Sequence, residues 1–353
     1  MLNILLKMKV KQILISFLSA SWLFVACSDQ RECCDLPPEG DYSKGVFVVN
    51  EGPFGGSGTI SWYNPTTGEA QDSLFEKANQ GASLGQFVQS LSFHNGKGYI
   101  VVNGANRVVI VNASTFEYLD TIGGLALPRF FLPIDPNTAY ISQWGADGLT
   151  GSVAKVDLNT NTVQKTIPTG FGPDKMVRVN DRVYVANSGG YGVDASLSEI
   201  LISNDQAQLQ SFQNGKNPAS LVSHNQQLFY LCKGYYLDSN PVGWLNFVSN
   251  AGPGTETPAY SDDLMLDEDN GNLFFIGGGK VYQSNTANPE SSLSVLLNQS
   301  AYGLGYDADQ DLLYCADARD FSSPGEVVVY KTDGTRVGAF RCGIAPGEVV
   351  IVK

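Results

Sequence analysis

The sequence predicts an all-β protein: a seven-bladed β-propeller whose C-terminal strand pairs into the first blade. Three observations predict it. A strand-turn-strand phrase recurs seven times, its copies 40 to 53 residues apart, and a period of that length built from short strands marks a radial repeat. No stretch sustains the 3.6-residue periodicity of an amphipathic helix; only Glu69 to Asn79 could carry a short one. The first copy also lacks an inner strand, while the chain ends in a strand with no partners of its own.

The copies can be aligned on the residue that ends each second strand: Asn50, Asn103, Gln143, Asn187, Lys233, Gly277 and Asp317. The clearest pairs are Tyr99-Ile100-Val101-Val102 with Val108-Val109-Ile110-Val111, and Val183-Tyr184-Val185-Ala186 with Glu199-Ile200-Leu201-Ile202. Inner strands precede them, as in Gln89 to Phe93, Lys175 to Val179 and Asp263 to Leu266. Third strands follow, as in Thr59 to Tyr63, Val153 to Asp157 and Val327 to Tyr330. Fourth strands are weaker, as in Val163 to Ile167. Turn chemistry agrees, because Thr67-Gly68, Asn95-Gly96, Asn270-Gly271 and Asp333-Gly334 suit tight reversals. Copy one begins at Val46 to Val49, and Gly347 to Val352 ends the chain. Putting that last strand inside blade one closes the ring and removes two exposed sheet edges.

The N-terminus reads as an export signal over residues 1–26. Lys7, Lys9 and Lys11 precede a largely apolar run from Ile13 to Ala26, too short for a membrane span of about 20 residues. Phe24-Val25-Ala26-Cys27 resembles a bacterial lipobox, with Cys27 as the acylated residue and Phe24 in place of the usual leucine. Acylation there would anchor the protein to a membrane without spanning it. Residues 27–44, with Ser28 to Glu32 and Pro37-Pro38-Glu39-Gly40, read as a tether, and 45–353 as the propeller. The acidic stretch after Cys27 resembles a surface-export signal of Bacteroidetes lipoproteins.

A formal net charge of −13 excludes nucleic acid as a natural partner. Cys33-Cys34 do not match zinc spacing, and Cys232 and Cys315 lie within apolar strands as small hydrophobes. A disulfide is allowed in an oxidising exterior, and spacing alone assigns none. The two histidines, His94 and His224, fall in first-to-second-strand turns and read as exposed turn residues. With no nucleophile elbow and no histidine pair, neither a Ser-His-Asp hydrolase nor a histidine-held metal or haem is expected.

Tyr184-Val185-Ala186-Asn187 nearly spells the signature of the YVTN or YncE-like propellers, and the resemblance covers about residues 45 to 353. In that family the inner strand starts at the top face, so second-to-third loops and the loops leading into inner strands crowd one side. The candidate ligand-binding residues on that side are Asn50, Phe54, Asn103, Arg129, Trp144, Lys175, Asn187, Tyr191, Tyr235, Tyr236, Tyr302, Arg319 and Phe321. Aromatic planes beside amides and a few cations suit a large, partly apolar ligand rich in hydrogen-bonding groups. For Asn103 and Asn187, bracing the end of a strand is an equal reading.

With Val48-Val49-Asn50-Glu51-Gly52 and Asn187 to Gly192, the chain resembles the Bacteroidetes propeller lipoproteins that include the BtuG group. That resemblance implies a non-enzymatic surface lipoprotein of the outer membrane. It would bind cobalamin or a related corrinoid as cargo, with no resident cofactor, and deliver it to a BtuB-like TonB-dependent barrel. A glycan-binding or adhesion propeller uses the same side chains and stays open. A calcium-dependent lactonase is the third class, with Asp174, Asp262, Asp263 and Glu348 where inner strands begin.

Overall fold

The computed structural model describes residues 42–248 and 254–353. Cys27, Cys33, Cys34 and the export signal lie outside the described residues. Seven four-stranded antiparallel sheets form the blades. In six of them strand order follows chain order from the axis outward; in blade one the C-terminal strand Pro346–Val352 is innermost and pairs with Gly45–Asn50. The expected closure is therefore present.

The remaining inner strands are Val88–His94, Pro128–Asp135, Pro173–Val179, Pro218–His224, Asp262–Asp267 and Gly303–Asp307, for blades two to seven. Each touches the next around the axis, with blade one's inner strand meeting those of blades seven and two. Second strands end at Asn50, Gln143, Asn187, Gly277 and Asp317 as the alignment placed them. In blades two and five they end one residue earlier, at Val102 and Cys232. The fourth strands include the shortest: Ala70–Gln71 in blade one and Thr255–Thr257 in blade five. One short helix, Leu74–Ala78, sits inside the segment expected to hold it, burying Leu74 and Phe75. A second, Pro289–Ser292, was not expected, although Asn288-Pro289-Glu290 is a helix-start signal.

Alternation explains the cores. Second strands are buried on both faces, because each packs between two neighbouring blades: Val46, Phe47, Val48 and Val49 are all buried, with Phe47 and Val49 in one cluster and Val46 and Val48 in the next. Each inter-blade layer is thus its own hydrophobic cluster rather than part of one central core. The ring also begins earlier than residue 45. Tyr42, expected in the tether, is fully buried against Trp62 and Phe116, with its hydroxyl donating to Gln71 Oε1 at 2.8 Å. Cys232, Cys315 and Cys342 are buried free thiols.

Candidate functional site: the mouth of the central channel

Antiparallel blades put second-to-third loops and the loops leading into inner strands at the same end. Hydrogen bonds join the two sets there, as in Asn103 N to Phe87 O and Trp144 N to Leu127 O. His94 and His224 close the first-to-second turns at the opposite end. Neither is the exposed turn residue expected from sequence. Both are half-buried, His224 Nδ1 lies 3.0 Å from Thr286 Oγ1, and His94 Nε2 is buried without a partner.

The inner strands carry a shared irregularity at the loop-crowded end. In blades one to six the register slips where the inner strand begins. The extra residues are Gly347, Gln89, Arg129-Phe130, Asp174-Lys175, Ala219 and Asp263-Leu264, respectively. A bulge inserts a residue into a strand of period two, so it re-aims the side chains beside it. All but Leu264 line a cavity of about 240 Å³ at the channel mouth. Blade seven has no such slip and contributes Tyr302 from its lead-in loop. Every blade therefore reaches one well.

The well is densely charged. Arg129 donates from Nε to Asp174 Oδ1 at 2.8 Å and from its terminal nitrogen to Gln89 Oε1, while its guanidinium lies 4.3 Å from the Trp144 ring. Lys175 pairs with Asp263 beside the Phe130 ring, and the second Asp263 oxygen accepts Leu304 N at 3.0 Å. Burial alone would lower the Lys175 pKa, but Asp263, Asp262 and Glu348 outweigh it and hold the ammonium charged. Burial raises Asp263 against the pull of that ammonium. Glu348 accepts Leu91 N at 2.9 Å, and burial pushes its pKa up to about 7, with Lys175 acting the other way. Glu51 is also raised, by burial first, and accepts the Tyr302 hydroxyl at 3.1 Å.

Around the well stands an apolar rim. Among the described residues, sixteen large hydrophobic side chains are exposed. Ten of them lie in loops, and all ten of those loops are at the mouth end: Phe54, Leu149, Phe171, Tyr191, Val193, Tyr236, Leu237, Tyr260, Tyr302 and Phe321. The other six sit in third or fourth strands, so none lies in a turn of the opposite face. The rim aromatics touch in pairs, Trp144 with Tyr191, Tyr235 with Tyr236, and Tyr302 with Phe321.

The sequence-derived set divides accordingly. Phe54, Tyr191, Tyr236, Tyr302 and Phe321 are exposed on the rim, and Trp144 and Tyr235 are half-buried beside them. Arg129 and Lys175 line the well. Arg319 is exposed, 3.8 Å from Glu326. Asn50 is a correction, and Asn187 takes the bracing reading of the two given for it: both are fully buried, because each ends a strand inside the blade and spends its amide on third-strand hydroxyls. Asn50 Nδ2 donates to Ser61 at 2.9 Å, and Asn187 Nδ2 to Ser196 and Ser198 at 2.9 and 3.0 Å. Half-buried Asn103 donates to Pro128 O at 3.1 Å, bracing the neighbouring blade's inner strand. Reading a strand-final Asn against a serine or threonine about ten positions later could have found these braces. The ligand set missed Gln89, Glu51, Ala219 and Lys233, which line the well.

The four carboxylates named for the alternative lactonase reading face different partners. Asp174 takes Arg129, Asp263 takes Lys175, Glu348 takes a backbone N–H, and Asp262 takes the N–H of Asp263. Among the described residues no three histidine, cysteine or acidic groups converge as metal ligands.

The family match covers residues 44–335, described as a domain of unknown function (DUF5074). The chain belongs to the DUF5074 family. No curated protein matches it. The DUF5074 ring is similar to a solved quinonprotein alcohol dehydrogenase-like protein from Bacteroides thetaiotaomicron, at 15% identity and TM-score 0.65, covering 89% of this chain and 79% of that one. It is similar to hydrazine synthase of Kuenenia stuttgartiensis at 14% identity and TM-score 0.59, covering 76% and 92%. A functionally unknown protein from Desulfotomaculum acetoxidans matches at 14% identity and TM-score 0.61, covering 87% and 98%. At such identities the likeness is one of fold.

Proposed function

We propose that this DUF5074 protein is a non-catalytic capture platform whose mouth face holds a large, partly apolar ligand. The observation that supports it is the segregation of exposed apolar loop side chains to one end of the ring, around the charged well. Contiguous exposed apolar surface marks a binding site more often than it decorates a free one. A rigid ring of closed blades loses little entropy on binding. The ligand proposed is cobalamin or a related corrinoid: its apolar edge would lie on the rim aromatics, and its amide periphery would meet Tyr hydroxyls and loop backbone. Acylation at Cys27 would hold the protein at the outer membrane, facing outward, where a TonB-dependent barrel would receive the cargo.

Calorimetry of the protein with cyanocobalamin, beside a panel of host glycans, tests the reading. Saturable heat with cyanocobalamin that Tyr236→Ala weakens supports it. Heat with a glycan alone moves the protein to adhesion, and heat with neither removes the capture proposal.

A further inference from the structure

The charges of the well do not cancel in place, and what remains is arranged by blade. Arg129 is neutralised by Asp174, and Lys175 by Asp263. Lys233, just beyond the second strand of blade five, lines the same cavity, and among the described residues its ammonium has no ion pair or hydrogen bond. It belongs to the same blade as Ala219, the one small apolar side chain among the bulge residues that line the well apart from Gly347. Among the described residues, three carboxylates of the well accept only neutral donors: Asp262 of blade six, and Glu51 and Glu348 of blade one. The two blade-one carboxylates lie three blades on from Lys233, across the well. A lone cation thus faces unpaired carboxylates over a cavity of about 240 Å³, room for about eight waters at ~30 Å³ each.

We propose that the well binds a zwitterionic group: an anionic end on Lys233 and an ammonium end on Glu348 and Glu51, with Phe130 and Tyr302 as its aromatic walls. Each end would supply the counter-charge that the protein leaves out, and charge-assisted hydrogen bonds to preorganised partners are the strong ones. The size of the cavity fits a small ω-amino acid, or the zwitterionic tip of something larger seated on the rim. The proposal does not depend on what the rim holds.

Calorimetry with glycine, β-alanine and γ-aminobutyrate varies the distance between charges, with propylamine and propionate as single-charge controls. At least one zwitterion should bind about tenfold or more tighter than either control. Lys233→Met and Glu348→Gln should each cost about tenfold in that binding, and Tyr236→Ala, on the rim, should leave it unchanged. Circular dichroism melts establish that the variants fold. Binding of propylamine as tight as that of every zwitterion, indifference to Lys233→Met, or no heat with any member of the series overturns the proposal. Because Tyr236→Ala separates rim from well, failure here and failure with cyanocobalamin are distinguishable.

Discussion

Lys175, on the inner strand of blade four, pairs with Asp263 of blade six and passes over blade five, where the bulge residue is Ala219. Blade five offers no carboxylate at that level, so the ammonium reaches the next one round the ring. The pair therefore ties together two blades that share no sheet edge.

Lys175→Met should destabilise the ring by about 3 kcal/mol at pH 8, because it strands a buried carboxylate. Adding Asp263→Asn should return most of that loss. Urea denaturation of the two single variants and the double variant gives the coupling; additive effects would show that the pair contributes nothing.

Stability should fall as pH rises from about 5 to 8. Burial pushes the folded pKa of Glu348 up to about 7, above the ordinary glutamate value of 4.5, so the folded state holds the proton more tightly than the unfolded state does. The stabilisation is complete below the unfolded pKa and lost as pH rises through 7, at roughly 3 kcal/mol in total. Glu51 and Glu76 are also raised, chiefly by burial, and add in the same direction. Melting temperatures of wild type and Glu348→Gln across this range test it, and parallel curves would exclude Glu348 as the cause.

Deleting residues 347–353 should open the ring. Blade one would lose its inner strand, including buried Val349 and the Glu348 bond to Leu91 of blade two. The truncated protein should melt at least several degrees lower and over a broader range than the full chain. An unchanged melt would mean that the closure contributes no stability.

Tyr236→Ala should change stability by less than about 0.5 kcal/mol, since the side chain is 64% exposed. It should weaken ligand capture by about 2 kcal/mol if the ring covers the ligand. Trp144→Ala should weaken capture comparably and also release Arg129, which rests on the indole. Asn187→Ala should do the reverse, costing about 1–3 kcal/mol of stability by removing the buried bonds of its amide to Ser196 and Ser198.

The blade count, the closure and the face that carries Trp144 were legible because each depends on period and order. Val-Ile runs repeating at fixed intervals, Asn95-Gly96 between them, and an unpartnered last strand admit few topologies. Asn50 and Asn187 could not be placed from sequence because a strand-final amide looks the same whether it turns out to solvent or in toward Ser61 or Ser198; burial separates the cases. Tyr42 was misplaced because no local pattern tells that Trp62 and Phe116 leave a slot for it.

Alone, the sequence determined an all-β ring of seven repeats and where along the chain its loops fall, since side-chain alternation and turn chemistry are properties of a few neighbouring residues. The tertiary structure decided which side chains enter the well. Gln89, Arg129, Lys175, Ala219 and Asp263 reach it because their strands slip register against specific partners. A slip exists only once two strands are paired, and it redirects the neighbouring side chains; no property of a single strand encodes it.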